Sequence, residues 1–299
     1  MVGSAHDAED LVQETYVRAW RSYASFERRA SMRSWLYKIA TNVCLTALAS
    51  RRIRVLPSGL AAPFDGPDRP PDVAPGEVSW LEPWPDRWAT MPADDPDAAL
   101  IARESLRLAL IASLQYLPAR QRAIFLLREV LAFSADETAE LMDTSAAAVK
   151  SGLQRARASL DALSPAPEGL LEPTDPRARE LLDGYIAAFE RADASLLVKV
   201  LRSDASLEST PFRDWVAGRA RCIHLLDTYV LGAPGGWRMI ATVANGQPAA
   251  AAFRRDAAGV LRADGVVVLS ATPTGVCRVT AFHDPALVVL FGLPRTLPG

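Results

Sequence analysis

The chain has 299 residues, is 49% hydrophobic, and carries a formal net charge of −2 from 33 basic and 35 acidic residues. That length is enough for two or three domains with proper cores, and the composition is that of a globular chain. No run of 18 or more apolar residues and no signal peptide is present, so neither a membrane span nor export is expected.

In chain order, Asp7 to Ala19 reads as an amphipathic helix. Ala8, Leu11, Val12, Tyr16 and Ala19 recur at helical spacing and predict one buried stripe. Glu9, Asp10, Gln13, Glu14, Arg18 and Arg21 lie on the other face, acids first and bases last, as the helix dipole favours. Ser4, three residues ahead of Asp7, is the expected N-cap.

From Arg28 to Arg54 the sign changes. Arg28, Arg29, Arg33, Lys38, Arg51, Arg52 and Arg54 occur with no acid among them. Met32, Leu36, Ile39, Ala40, Val43 and Ala47 predict a core stripe, with Arg33, Trp35, Tyr37, Lys38, Thr41 and Asn42 beside or opposite it. Cations for phosphates, rings for unpaired bases and an amide for a base edge suit single-stranded nucleic acid. A set of core aromatics with a solvated basic face would give the same pattern.

The order DAEDLVQETYVRAW followed by SMRSWLYKIATNVCLTAL resembles the promoter-recognition domain of bacterial sigma-70 family factors of the extracytoplasmic-function group. The resemblance implies that the acidic helix docks on the beta-prime clamp of RNA polymerase core, through Asp10, Gln13, Glu14 and Arg18. It implies that Arg33, Trp35, Tyr37, Lys38 and Asn42 melt and read the −10 promoter element. The family's domain has a further helix ahead of DAEDLVQ, so the expectation is that Met1 is an internal methionine of a longer protein.

Residues 56–97 read as an acidic linker. Ten prolines, at 57, 63, 67, 70, 71, 75, 83, 85, 92 and 96, exclude long helices and central strands. Trp80, Trp84 and Trp88 are foreign to a solvated tether and predict a docked patch. WLEPWPD resembles a linker signature of family members that carry an extra C-terminal domain.

Residues 98–163 read as all helix. IARESLRLALIASLQYL forms one amphipathic helix stopped by Pro118, which then opens PARQRAIFLLREVL from its first turn. Ser134 and Glu137 make a capping box, Asp143-Thr144 a break, and Ser145 caps SAAAVKSGLQRARASL. Val149, Leu153, Ala156 and Leu160 point inward, leaving Lys150, Ser151, Gln154, Arg155 and Arg157 on a face without acids. This is a helix-turn-helix with a basic recognition helix. The stretch LPARQRAIFLLREVL through RARASL resembles the −35-binding domain of the same family. Ala146, Ala147 and Ala148 leave few base-reading side chains at the start of that helix, so phosphates and groove shape carry part of the expected readout.

Residues 164–176 are a second proline-rich hinge, and 177–299 shift to α+β composition. Two helices split near Ala192-Asp193, a helix over RARCIHLLDTYVL, and strands in DASLEST, WRMIATVANGQPAAAAFRRD, VLRADGVVVLSA and GVCRVTAFHD predict helices on a curved antiparallel sheet. LLDGYIAAFERAD and VTAFHDPALVVLFGLP resemble the SnoaL-like, NTF2-like superfamily, whose cones often enclose a small-molecule pocket. The candidate wall residues are Tyr185, Phe189, Phe212, Trp215, Trp237 and Phe253; the same rings equally suit a filled core. His224 and His283 stand alone in sequence, and Asp204, Glu208, Asp214 and Asp227 show no partner pattern, so no catalysis is expected.

The resulting expectation has two all-α domains, one residues 1–55 and the other 98–163 with the helix-turn-helix, followed by an α+β NTF2-like cone over 177–299. It describes a cytoplasmic sigma factor with RNA polymerase core and promoter DNA as partners, no membrane and no cofactor. The C-terminal domain would regulate in cis, with a small molecule as an additional ligand. Cys44, Cys222 and Cys277 are odd in number and far apart, which points to free thiols and no metal site. Two rivals stay open on sequence: a ligand-responsive regulator acting without polymerase, and a cyclase-like enzyme fused to a DNA-binding module.

Overall fold

The computed structural model describes residues 1–26, 31–50, 52–66, 69–88, 107–162 and 169–298. Arg28, Arg29 and Arg51, the first turns of the helix expected from Ala98, and residues 164–168 of the expected hinge lie outside the described residues. Two compact units are present: Met1–Arg54 with Met91–Ala166, and Val55–Thr90 with Pro167–Gly299.

In the first unit, α1 (Ala5–Ser22) begins where the Ser4 hydroxyl accepts the Asp7 N–H at 3.0 Å. Its buried residues are Ala5, Thr15 and Ala19, and the Thr15 hydroxyl donates to the Leu11 carbonyl at 2.7 Å. The expected stripe is corrected at Val12 and Tyr16, which are 53% and 64% exposed. Only the small-residue face of α1 meets its neighbour α2 (Met32–Ala49), so the wider apolar arc stays uncovered. On α2, Thr41 and Val43 are buried, whereas Met32 of the expected core stripe is exposed. Thr41 was expected on the outer face. It is buried because α2 is packed from two directions, by α1 and by the helices described next.

These are α3 (Leu108–Leu114), α4 (Ala119–Phe125, continued by a π-turn over Leu126–Val130), α5 (Ala135–Leu141) and α6 (Ala146–Ala162). Pro118 is the N-cap of α4 rather than a first-turn residue, a place that equally needs no intrahelical N–H. The Ser134–Glu137 capping box opens α5. Asp143, at φ 47°, turns the chain between α5 and α6, and the Ser145 hydroxyl accepts the Ala148 N–H at 3.2 Å. Leu114, Leu117, Ile124, Phe125, Phe133, Leu141, Val149 and Leu153 form the core. Gly152 lets α6 approach α4, since a Cβ there would lie 2.6 Å from Ile124 Cδ1.

The second unit opens with α7 (Pro176–Arg191), capped by Asp175 and ended by Ala192 in the left-handed region, then the single turn α8 (Leu197–Val200). The strands are β1 (Leu201–Thr210), β2 (Val216–Ala217), β3 (Trp237–Ala244), β4 (Gln247–Arg255), β5 (Leu261–Thr272), β6 (Gly275–Phe282) and β7 (Thr296–Leu297). Two helices interrupt them, α9 (Arg219–Tyr229) and α10 (Pro285–Leu290). The sheet order is β2-β1-β6-β5-β4-β3, with β7 on β5. The β1–β6 pair is parallel, which corrects the expected all-antiparallel sheet. The long excursion from β1 through α9 and β3 to β5 supplies the crossover that parallel pairing needs. This is an α+β fold, with helices packed on a mixed sheet.

Both faces of the sheet are covered. Leu207, Met239, Ala250, Ala252, Val267, Leu269 and Val279 face α7 and α9 in one core. The alternate residues Glu208, Ala249, Ala251, Val266, Val268, Thr280 and Phe282 are also buried. On that second face the Ser58 N–H reaches Glu208, and α10 packs on β5. The linker stretch from Val55 is thus part of the C-terminal fold.

Candidate nucleic-acid interface

On α1, Asp10, Gln13 and Arg18 are exposed and Glu14 half-buried, with Arg18 Nε 2.7 Å from Glu14 Oε1. Trp20 and Val17, which the sequence reading passed over, are exposed beside them. Together with Tyr16, Tyr23, Met32 and Trp35 they line an apolar groove of about 600 Å³ between α1 and α2. The available signal was Trp20 itself, a large ring placed outside the expected core stripe.

On α2 the five residues expected to meet DNA have different surroundings. Trp35 stacks obliquely on Phe26 at 4.7 Å and meets Tyr23 edge-on at 6.4 Å. Asn42 is exposed. Tyr37 packs edge-on against Phe133 at 5.2 Å, and the Arg33 guanidinium lies 5.0 Å from the same ring. Arg33 Nη2 also donates to the Leu131 carbonyl at 3.4 Å. Lys38 Nζ donates to Asp143 Oδ1 at 2.6 Å and to the Glu140 carbonyl at 3.3 Å.

The recognition helix α6 presents Lys150, Ser151, Gln154, Arg155 and Arg157 to solvent while Val149, Gly152, Leu153 and Ala156 are buried. Arg155 Nη1 donates to the Ser151 hydroxyl at 2.6 Å, and Arg157 pairs with Glu129 at 2.9 Å. The arrangement offers cations and one amide at helical spacing, the chemistry that phosphates and major-groove edges require. Beneath it lies a group with no sequence signal, Arg122. Its guanidinium is buried against Gln115 Oε1 and the carbonyls of Gln115, Leu117 and Met1, at 2.7–3.2 Å. Burial lowers its pKa to about 10, so it stays charged at neutral pH.

In the second unit the three linker tryptophans sit on a docked ribbon. The Leu81 N–H donates to the Val55 carbonyl, and Leu81 is fully buried. Trp84 and Trp88 pack edge-on at 5.5 Å, Pro85 pairs with Ala244, and Trp84 exchanges hydrogen bonds with Asn245. The Asp86 carboxylate accepts the Gly246 N–H, and Arg87 donates to the Leu290 carbonyl. Farther up the ribbon, Arg69 pairs with Asp214, and the Trp215 indole N–H donates to the Ala61 carbonyl at 2.7 Å.

Trp215 therefore faces the linker rather than the interior of the cone. Tyr185, Phe189 and Trp237 belong to the core, with ring centroids 4.8 and 5.7 Å apart, and Phe253 is fully buried. Phe212 pairs with Val73 of the linker and meets His283 edge-on. Groups that stood alone in sequence have partners, Asp204 among them, which pairs with Arg202 at 2.7 Å. His283 Nδ1 lies 2.6 Å from Asp264, Glu208 accepts from Ser58 and Thr280, and Asp214 accepts the Asp72 N–H. The Cys222 thiol is pushed up to about 12 by burial and is an inert core group. Among the described residues no helix is long and apolar enough to cross a membrane.

Comparison with known proteins places these features. Residues 1–53 match the family model for sigma-70 region 2, and residues 107–160 the model for sigma-70 region 4. The chain is 46% identical over 299 residues to the ECF RNA polymerase sigma factor SigG of Mycobacterium tuberculosis, covering 99% of this chain and 80% of that protein. It is 29% identical over 206 residues to SigJ of the same organism, covering 69% of this chain and 58% of SigJ. The crystal structure of SigJ matches with a TM-score of 0.59 at 22% identity, over 98% of this chain and 93% of that one. The chain belongs to the ECF RNA polymerase sigma factors. α1 and α2 lie within the region 2 match, and α3 to α6 span the region 4 match, which ends at residue 160 in the last turn of α6. A regulator built on the helix-turn-helix alone leaves the region 2 match unexplained.

Proposed function

We propose that this sigma factor binds RNA polymerase core, directs it to a promoter and stabilises the melted −10 region, in the cytoplasm and without chemistry of its own. The polar face of α1 with Asp10, Gln13, Glu14 and Arg18 meets the core enzyme. Arg33, Trp35, Tyr37, Lys38 and Asn42 hold the unpaired −10 strand by phosphate pairing, stacking and one amide contact. Lys150, Ser151, Gln154, Arg155 and Arg157 contact the −35 duplex, mainly through phosphates. The observation that carries this reading is the 46% identity to SigG along nearly the whole chain, with both sigma regions in order.

The C-terminal unit regulates in cis by holding the linker, and no small molecule is needed for that. Its interior rings pack on one another, which supports a filled core over a catalytic or ligand pocket. The experiment is to mix the purified chain with RNA polymerase core and assay complex formation and promoter-directed transcription. A stable complex that starts transcripts at a defined site is the expected result. A chain that binds promoter duplex tightly but never core would overturn it.

A further inference from the structure

Three of the five α2 residues assigned to the −10 strand are held by the chain's own helix-turn-helix. Lys38 is paired with Asp143 at 2.6 Å, Arg33 lies over the Phe133 ring and bonds the Leu131 carbonyl, and Tyr37 packs edge-on against Phe133. The groups offered to α2 are those a nucleic acid would offer. A carboxylate stands where a phosphate oxygen would sit on Lys38, carbonyl oxygens add to both cations, and an aromatic face meets Tyr37 and Arg33. Glu137, at the start of α5, also feels Arg33: its pKa is lowered first by its bonds to Ser134, and the Arg33 charge adds to the effect.

The same contact is built at its far end. Gly3, at φ 72°, lies so close to Gln115 that a Cβ would come within 2.8–3.0 Å of its amide group, and buried Arg122 donates to the Met1 carbonyl at 2.7 Å. Regions 2 and 4 thus meet through a buried hydrogen-bonded seam at one end and a polar, nucleic-acid-like face at the other.

We infer that the turn of α5 and Asp143 acts as an internal mimic of the −10 strand, closing α2 until promoter DNA displaces it. This rests on the proposed function above and adds to it a competition between Asp143 and DNA phosphate for Lys38. The two compete, because Asp143 and the Glu140 carbonyl already take two of the three ammonium donors of Lys38, and the carboxylate repels a phosphate brought beside it.

Zero-length carbodiimide coupling of the full-length chain tests this, since it joins an amine to a carboxylate only when they are paired. The free chain should give a Lys38–Asp143 cross-linked peptide by mass spectrometry, absent from Asp143→Asn. Adding polymerase core and promoter should reduce it severalfold. In parallel, Asp143→Asn and Asp143→Gly, both suited to the left-handed φ, should bind a single-stranded −10 oligonucleotide about three- to tenfold more tightly than the parent chain. No cross-link in the free chain, an undiminished cross-link in a complex that transcribes, or unchanged oligonucleotide binding by both variants would overturn the closure alone. A chain that never assembles with core would overturn the proposed function, and this inference with it.

Discussion

Asn245 and Trp84 hold each other through two hydrogen bonds: the Asn245 side-chain carbonyl accepts the Trp84 N–H at 2.9 Å, and the Asn245 N–H donates to the Trp84 carbonyl at 3.0 Å. Asn245 sits at φ 57°, followed by Gly246 at φ 64°, the paired left-handed geometry of a tight hairpin turn between β3 and β4. One residue thus serves the turn with its backbone and the linker with its side chain. Asn245→Gly should keep the turn and lose the side-chain bond, costing about 1–3 kcal/mol for the partly buried Trp84 N–H left behind. Chemical denaturation gives the loss, and limited proteolysis should show earlier cleavage between Val55 and Trp88. Asn245→Ala should cost roughly 1 kcal/mol more, through its left-handed φ.

Glu208 is a second fastening. Its carboxylate accepts the Ser58 N–H at 3.1 Å and the Thr280 hydroxyl at 3.3 Å, with Arg278 at 3.8 Å, in a side chain that is almost wholly buried. Glu208→Ala should destabilise the C-terminal unit by about 2–4 kcal/mol, because a buried hydroxyl and a partly buried N–H lose their acceptor. Glu208→Gln should recover most of this in urea denaturation. Equal losses for both would mean that the carboxylate's charge, rather than its acceptor oxygens, holds the site.

Arg122→Met should destabilise the helical unit by about 2–4 kcal/mol, since the carbonyls of Gln115, Leu117 and Met1 would be buried without a donor. Amide exchange of α4 and of residues 2–5 should rise together. A rise in α4 alone would mean that the Met1 bond contributes nothing.

The start of α5 should be acid-sensitive. Glu137 is held below the usual carboxylate range, first by the Ser134 backbone N–H and then by the Ser134 hydroxyl. A folded pKa below the unfolded one adds stability that is present above the unfolded value and lost as pH falls through the folded one. Glu137→Gln keeps an acceptor for the Ser134 N–H and should flatten that acid limb of the pH profile of thermal unfolding.

Lys150→Ala should weaken −35 duplex binding alike for all sequences and reduce the slope of log affinity against log salt by about 0.9. Gln154→Ala should instead relax preference at one base pair, by about 1–3 kcal/mol if the amide pairs with adenine. Fluorescence anisotropy across a set of single-site variants separates the two.

Much of the helical unit was legible because its signals are local. Ser4, Ser134 and Ser145 cap helices where the spacing places them, and the recognition face of α6 follows from a 3.6-residue period. The errors on α1 and α2 have one cause. A periodic stripe says which residues are apolar, whereas burial depends on how many neighbours cover it. Val12 and Tyr16 have too few, and Thr41 lies where α2 is packed from two directions. Arg122, Glu208 and the Lys38–Asp143 pair left no trace in sequence, since their partners lie 72 to 150 residues away or in carbonyls that any residue supplies. The tryptophans announced that the linker docks, but not on which surface, because any apolar face satisfies an indole.

Because the ribbon from Val55 to Trp88 is bonded to Glu208 and to the β3–β4 turn, cutting the chain after Leu163 does not simply subtract a domain. It uncovers a ribbon bearing Leu81, Trp84 and Trp88, together with the backbone groups that Asn245, Gly246 and Ala244 had paired. Such a ribbon is sticky and protease-sensitive. Conversely, a C-terminal fragment begun at residue 169 would leave Glu208 without its Ser58 donor, and Asn245 and Gly246 without Trp84 and Asp86. A fragment that keeps its own cover would have to carry residues 55–88 with it, a circular permutant in which the ribbon is joined beyond residue 298.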